Sequence, residues 1–158
     1  MNSLRIFSYC FLIASSLGWA NNFPRGCEEI GFGFQSPVIT FNDSGSQTFF
    51  LVHNNSPELV ALERLNTEES FMTPKLQAQI DANQWAALAS DISNMHFKCL
   101  RHTADGDVLI QCKSVLSVCQ YPRVKFALSN QGSYWVSTNK SLQQVVHDAT
   151  QKGIYLKW

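Results

Sequence analysis

Charged side chains are scarce in this chain, and neither sign is in excess. Asp, Glu, Lys and Arg make up 15% of the residues, and 12 basic side chains balance 12 acidic ones. No run of Lys or Arg stands out. Nucleic acids and anionic membranes are bound through concentrated basic surfaces, so the sequence predicts neither as a partner.

The chain also lacks the motifs that specify a reaction, a cofactor or a metal. It contains no G-x-S-x-G turn for a serine nucleophile and no C-x-x-C pair of the kind that structural zinc sites prefer. Its 4 histidines are scattered, and His96 and His102 lie too far apart along one predicted strand to chelate one ion. We therefore expect no catalytic residue, no cofactor and no metal site.

The N-terminus does contain a targeting segment. Arg5 precedes an apolar stretch over residues 6–17 that is too short to span a bilayer as a helix, and small residues at Gly18 and Ala20 suit a signal peptidase. We expect residues 1–20 to be a signal peptide cleaved after Ala20, and an uncleaved N-terminal anchor is the alternative. No second run of about 18 apolar residues follows. The cleaved chain is therefore expected to be periplasmic or secreted, with no membrane span.

Residues 21–158 are expected to form a single domain. Cleavage leaves 158 − 20 = 138 residues, a length that suits one hydrophobic core. Aromatic side chains make up 12% of the whole chain, and such a composition is the opposite of that of a disordered chain.

Four cysteines remain after cleavage, namely Cys27, Cys99, Cys112 and Cys119. An even number in an exported chain indicates two disulfides, which can pair in three ways. A zinc site is the weaker alternative, because export favours oxidation and the spacing does not suit structural zinc.

A predicted hairpin selects among these pairings. Apolar and polar residues alternate over residues 94–102 and 107–114, and Asp105-Gly106 between them favours a two-residue turn. In an antiparallel hairpin the numbers of opposed residues add to a constant, which is 211 for the pair Ala104–Asp107 beside this turn. The numbers of Cys99 and Cys112 add to the same value. This register predicts that Cys99 and Cys112 face each other at a non-hydrogen-bonded pair, within disulfide range.

The remaining disulfide would join Cys27 to Cys119 and tie the N-terminus to the segment after the hairpin. A turn of three or four residues would shift the register and remove the geometric argument. In that case the runner-up pairing is Cys112–Cys119 with Cys27–Cys99.

The pattern elsewhere is mostly that of β-strands. Alternating apolar residues, bounded by turn residues, are the signal for most of them. The predicted strands cover residues 29–34, 38–41, 47–53, 58–65, 124–128, 133–136 and 154–158. We expect 47–53 to form a hairpin with 58–65, and 124–128 to form one with 133–136.

Two capping boxes predict helices. Asp81 with Gln84 precedes apolar residues at helical spacing up to residue 89, and Ser141 with Gln144 precedes a helix that ends at Lys152-Gly153. The predicted fold class is mainly β (α+β). It is an antiparallel β-sandwich or an open sheet with one or two short helices and two disulfides.

Several stretches of the mature chain follow one another in a distinctive order. They are CEEIGF from Cys27, WAAL from Trp85, MHFKC from Met95, CQYP from Cys119, VKFA from Val124 and GSYWVSTNKS from Gly132. Together they resemble the enhanced-entry B family of small exported bacterial proteins, over nearly the whole mature chain. The resemblance implies a role in the envelope or in host-cell entry, and it implies no catalytic residues.

Aromatic side chains near turns are the remaining functional signal. Tyr134 and Trp135 follow a turn-forming stretch and alternate onto opposite faces of a strand, and Tyr121 closely follows Cys119. We expect a non-enzymatic exported protein that binds another protein or a cell-wall polymer through these aromatics, unless the C-terminal helix covers them. A small periplasmic hydrolase or metal-binding protein is the alternative.

The export signal predicts that the mature protein begins at Asn21. Mass spectrometry of the periplasmic or secreted form should find Asn21 as the first residue, because Ala20 ends the peptidase site. The variant Ala20→Leu should block processing, since a large side chain does not fit that site. An exported form that still begins with Met1 would contradict cleavage.

Overall fold

The computed structural model describes residues 23–31, 38–41, 47–65, 76–91, 95–122, 124 and 133–156. The elements within these residues are β1 (Glu28–Glu29), β2 (Val38–Phe41), β3 (Thr48–Asn54), β4 (Val60–Arg64), β5 (Gln77–Ile80), β6 (Trp85–Ser90), β7 (Met95–Thr103), β8 (Gly106–Ile110), α1 (Cys112–Val115), β9 (Leu116–Pro122), β10 (Tyr134–Lys140) and α2 (Leu142–Gln151).

The strands form two antiparallel sheets. Sheet A has the order β1-β9-β3-β6-β10, and sheet B has the order β2-β7-β4-β5 with β8 also paired to β7. The predicted class is confirmed: the fold is mainly β, with two antiparallel sheets, two short helices and two disulfides.

The main hydrophobic core lies between the two sheets, because strands of both sheets turn an apolar face inward. Phe50 of sheet A contacts Phe41 of sheet B edge-on, with ring centroids 4.7 Å apart, and Phe41 contacts Phe97 at 5.2 Å. All three rings are fully buried. Each contributes about 1.5–3 kcal/mol relative to an exposed ring.

A second core covers the outer face of sheet A. Val145 and Ala149 of α2 are fully buried there together with Phe49 and Leu51 of β3. The outer face of sheet B instead carries ion pairs and hydrogen bonds, such as Lys98 Nζ to Glu63 Oε2 at 2.8 Å. The fold is therefore a helix layer on a two-sheet sandwich.

Helix α2 begins and ends where the sequence predicts. Ser141 and Gln144 form the capping box. At the other end, Gly153 has φ +75°, its N–H donates to Thr150 O (3.0 Å), and the Ile154 N–H donates to Ala149 O (2.9 Å). These bonds form a Schellman motif, which buries Ile154 completely.

The strand predicted over residues 154–158 is wrong for residues 154–156, which are not in a strand. The Schellman motif anchors Ile154 to the end of α2, so apolar alternation there reflects a helix cap rather than sheet pairing. Residues 157–158 lie outside the described residues.

The helix predicted near residues 81–89 is also wrong, because Trp85–Ser90 is strand β6. This strand lies between β3 and β10 in sheet A, and residues 86–90 are all buried. A strand buried on both faces has a continuous apolar sequence, which periodicity alone does not distinguish from a buried helix.

Residues 58–65 do contain a strand, β4, but its predicted hairpin with 47–53 is wrong. Strand β3 pairs with β6 on one edge and β9 on the other, so it has no edge left for β4. Strand β4 instead pairs with β5 and β7 in sheet B. The connection between β3 and β4 therefore crosses from one sheet to the other.

The remaining strand predictions are met in part. β1 is shorter and earlier than predicted, at Glu28–Glu29, so it shares only Glu29 with the predicted strand. Residues 30–31 are not in a strand, and residues 32–34 lie outside the described residues. The strand predicted over 133–136 is β10, which pairs with β6. Its predicted partner, 124–128, lies outside the described residues except for Val124, which is not in a strand.

Both predicted disulfides are confirmed. Cys27 bonds to Cys119 with Cα atoms 5.5 Å apart, and Cys99 bonds to Cys112 with Cα atoms 5.3 Å apart. The register from which the second pairing was inferred is nevertheless wrong, because Cys99 lies opposite Ile110 in the β7–β8 ladder.

The turn explains this difference in register. It consists of Ala104 and Asp105, neither of which has a positive φ, whereas a type I′ turn requires a positive φ at both central residues. Gly106, with φ +119°, is the first residue of β8 instead. Cys112 reaches Cys99 because the chain leaves the ladder after Ile110 and turns into α1.

The two disulfides should contribute differently to stability. They span 92 and 13 residues of sequence respectively, and the chain-entropy model gives about 4–5 kcal/mol for the longer loop and about 3 kcal/mol for the shorter one. Urea unfolding of the double variants Cys27→Ser/Cys119→Ser and Cys99→Ser/Cys112→Ser measures both losses. A larger loss from the second pair would contradict the loop-length account.

Candidate functional site

The three aromatic residues proposed from the sequence lie in different environments. Tyr121 is buried, with 7% of its surface exposed. Its hydroxyl donates a hydrogen bond to the Arg25 carbonyl at 3.3 Å, and burial raises the pKa of Tyr121. The side chain thus holds the N-terminal segment against sheet A.

Tyr134 and Trp135 lie on opposite faces of β10, as the alternation predicts. Tyr134 packs in the helix-covered core, where burial raises its pKa and Lys152 Nζ lies 5.3 Å from the ring centroid. Trp135 packs against the core between the sheets, 5.8 Å from the Phe97 ring. Its Nε1 is buried and has no hydrogen-bond partner among the described residues.

The structure does not bring these three residues together. Tyr121 and Tyr134 share the outer face of sheet A, but β3 and β6 lie between their strands, which separates them by about 14 Å. Trp135 points into the opposite core. Their predicted role in binding stays a prediction, and they do not form one surface.

A polar row crosses one end of sheet A on its outer face. Strand register places Ser117, His53, Trp85 and Lys140 side by side on β9, β3, β6 and β10. The His53 and Trp85 rings are stacked with centroids 4.3 Å apart, and the Phe23 ring meets Trp85 edge-on at 6.1 Å.

Burial controls the charge of His53 in this row. Desolvation lowers its pKa, and hydrogen bonds to the Asn55 side chain and the Asn83 backbone oppose that effect only in part. Asn55 Nδ2 also donates to Ser117 Oγ. His53 is therefore a neutral imidazole at pH 7 that is held by amides and by a stacked indole.

The row brings a hydroxyl close to an imidazole, a pair that the sequence did not reveal. Ser117 is 6% exposed and its hydroxyl accepts the Asn55 bond. Strands β6 and β9 pair with β3 on both sides of His53 without interruption. The backbone N–H groups of this row are therefore used in the hydrogen bonds of the sheet. A nucleophile here would lack the free donors that stabilise an oxyanion.

The other histidines are separate from this row and from one another. His96 Nδ1 bonds Thr40 Oγ1 at 2.9 Å on sheet B, and His102 contacts the Asp107 carboxylate across the β7–β8 pair. His147 is exposed on α2. Among the described residues, no group of three or more His, Cys, Asp or Glu side chains is arranged to hold a metal ion.

A two-stranded ribbon, residues 101–110, extends beyond the end of sheet B, and we call it the arm. Strand β4 stops pairing with β7 at Leu100, so among the described strands only β7 and β8 run through the arm. Every residue from 102 to 109 is exposed. The Cys99–Cys112 disulfide closes the base of the arm and is fully buried.

The arm displays aliphatic side chains. Val108 is 49% exposed and Leu109 is 52% exposed, and neighbouring residues of a strand point to opposite faces. Arg101 Nε lies 2.5 Å from Glu58 Oε2, and Gln79 Nε2 lies 3.4 Å from His102 Nε2. These contacts fix the β7 side of the arm to sheet B, while the β8 side faces outward.

Comparison of the chain with family models, with curated proteins and with solved structures finds no match. Within the part of the chain that the structure describes, no helix has the length and apolar character needed to cross a membrane.

Sequence reasoning missed both the row and the arm. His53 and Ser117 are brought together only by the pairing of β3 with β9, for which no local signal exists. Val108 and Leu109 do carry a signal, because two adjacent aliphatic residues in a predicted hairpin place one side chain on each face.

The lowered pKa of His53 predicts a specific sensitivity to acid. Because the folded state disfavours protonated His53, its contribution to stability is complete above the unfolded pKa of about 6.5 and declines as the pH falls toward the lower folded pKa. Urea unfolding at pH 7.5 and 5.0 should show a smaller acid-induced loss in His53→Gln than in the wild type.

His147→Gln is the control in the same unfolding experiment, because it removes a histidine that is exposed on α2. An acid-induced loss of stability that is equal in the wild type and in His53→Gln would show that His53 is not held neutral in the fold.

Proposed function

We propose that this protein is a non-enzymatic exported binding protein and that the arm is its binding surface. The observation that carries the proposal is the exposure of Val108 and Leu109, 49% and 52%, on a ribbon whose base is clamped by a disulfide. These two residues are neighbours on one strand, so a partner lying along that strand can cover both aliphatic side chains together. A clamped ribbon also loses less conformational entropy when a partner orders it.

The environment of the polar row supports binding over catalysis. Ser117 is buried and hydrogen bonded, and the sheet uses the backbone donors around His53. General base and nucleophile would both need access to a substrate carbonyl. The stacking of His53 on Trp85 fits a structural role at the end of the sheet.

The chemistry of the arm favours a protein over a cell-wall polymer as the partner. Aliphatic side chains are stabilised when a partner's apolar surface covers them, and protein interfaces provide such surface at their centres. A cell-wall polymer is mostly polar and offers little apolar area to cover Val108 and Leu109.

Residues 1–20 support an envelope or secreted location for this activity, because they have the composition of a cleaved export signal. The resemblance to the enhanced-entry B family supports a link to host-cell entry. Under this proposal the arm presents its apolar residues outside the cytoplasm, where disulfides persist.

The double variant Val108→Lys/Leu109→Lys should abolish partner binding, because two charges replace the apolar contact. We expect retention of the partner from envelope extract to fall at least about 10-fold, as for loss of an interface hot spot. The matched control is Tyr155→Lys, which makes the same kind of change at a residue that is 76% exposed and lies outside the arm. Circular dichroism and free-thiol titration verify that each variant is folded and oxidised.

Three further variants separate the competing proposals. Tyr134→Ala weakens retention if the aromatic surface is the binding site, whereas the arm proposal expects retention to be unchanged. His53→Ala and Ser117→Ala should leave binding intact. Equal retention by the wild type and the double lysine variant, or a hydrolytic activity that depends on Ser117, would contradict the proposed function.

A further inference from the structure

Resting on the proposed function, we further propose that the arm binds by strand addition. An extended segment of a partner protein, carrying apolar and basic residues, pairs antiparallel with the open edge of β8. The inference goes beyond exposed side chains, because it assigns the main chain of β8 a direct part in recognition.

The β7–β8 register shows which backbone groups face outward. Thr103 pairs with Gly106 directly across the two-residue turn, so that pair is hydrogen bonded, and hydrogen-bonded pairs alternate along the ladder. The Val108 N–H and C=O therefore bond to Arg101. The N–H and C=O groups of Asp107 and Leu109 point away from β7, and no described strand pairs with β8 on that edge.

Side chains on both faces of β8 would assist the pairing. Leu109 and Asp107 lie on one face and Val108 on the other, and all three are exposed. An antiparallel segment would place one residue beside each of them, about 4.5–5.5 Å away. Apolar partner residues beside Val108 and Leu109 would cover the aliphatic surface from both sides.

The charges of the arm select a basic segment. Asp105 and Asp107 are its acidic residues, and its arginine, Arg101, already pairs with Glu58. His102 Nδ1 contacts Oδ1 of Asp107, but the Asp107 side chain is 45% exposed and stays accessible to a partner. A Lys or Arg beside Asp107 would gain an opposite-charge cross-strand pair, whereas a Glu there would be repelled.

The length of β8 disfavours a second copy of this chain as the occupant. Two edges of 5 residues each would cover far less than the roughly 800 Å² per partner of a stable interface. A short partner segment fits the length of β8 better.

Synthetic peptides test the mode of binding on the full oxidised chain. The probe is the fluorescein-labelled, C-amidated peptide Lys-Thr-Ile-Val-Lys-Thr-Lys. It places Ile beside Leu109 and the second of its three Lys, called the central Lys, beside Asp107. Fluorescence anisotropy should show at least about 10-fold weaker binding when the three Lys are replaced by Glu. N-methylation at Ile and the central Lys removes two donors and should cause a similar loss.

A proline in the protein removes the matching donor from β8. Leu109→Pro deletes an N–H that points away from β7, so the β7–β8 ladder keeps its bonds, since proline is tolerated where an edge N–H faces solvent. Its matched control is Leu109→Ala, which loses the same apolar side chain but keeps the N–H. We expect Leu109→Pro to bind the probe at least about 5-fold more weakly than Leu109→Ala, from the loss of one hydrogen bond.

The outcomes separate the two proposals. If Leu109→Pro and Leu109→Ala bind the probe equally, if N-methylation has no effect, or if the probe does not bind the wild type, strand addition is overturned. The proposed function would still hold if Val108→Lys/Leu109→Lys lost the envelope partner. A dimer in analytical ultracentrifugation that Leu109→Pro dissociates would instead assign the edge to a second copy and would also overturn the inference.

Discussion

The buried side chain of Asn54 is the constraint on which the two-sheet arrangement depends. Its amide nitrogen donates to the carbonyls of Glu58 (2.7 Å) and Ile80 (2.8 Å), and its oxygen accepts from the Ser56 N–H (2.9 Å). Its backbone N–H donates to the Gln84 carbonyl at 3.0 Å. One residue thereby fixes two of the places where the chain crosses between sheets, after β3 and after β5. Each of these groups would cost about 1–3 kcal/mol if it were buried without a partner.

The two crossings determine where the candidate binding surface lies. Because β3 and β6 are enclosed within sheet A, the strands β4 and β5 join β2 and β7 in sheet B, and β7 is longer than its neighbour β4. Within the described part of the chain, β8 is the one strand that pairs with the excess length of β7. The arm therefore exists because of unequal strand lengths, and the Cys99–Cys112 disulfide stabilises it at the point where sheet B ends.

Local signals in the sequence predicted those parts of the fold that are determined locally. Helix α2 has its capping box at Ser141 and its glycine at residue 153, and both operate within one helical turn. Strand β6 was mistaken for a helix because Ala86 to Ala89 are buried on both faces and show no period of two. The disulfide pairing was right although the register was shifted by two residues, since Cys112 lies beyond the end of the ladder and α1 returns it to Cys99.

The candidate site was less accessible to sequence reasoning, because it arises from non-local pairing. The adjacent residues Val108 and Leu109 indicate that one aliphatic side chain leaves the core, but nothing near them indicates that β4 ends before the arm. The exposure of both side chains therefore could not be predicted from the hairpin pattern alone. The sequence predicts binding through Tyr121 and through whichever of Tyr134 and Trp135 is exposed, but Tyr121 anchors the segment near Arg25 and Trp135 packs on Phe97. Aromatic residues near turns are often buried when a neighbouring layer covers them, as α2 and the N-terminal segment do here.

The central claim is that the arm is a preformed ribbon with one open edge. Amide hydrogen exchange on the free oxidised chain, followed by NMR, tests it most directly. The account predicts slow exchange for the N–H groups of Val108 and Ile110, which bond to β7, and fast exchange for those of Asp107 and Leu109, which face solvent. Fast exchange at all four amides would show that the ribbon is not formed, and slow exchange at all four would show that its edge is already covered.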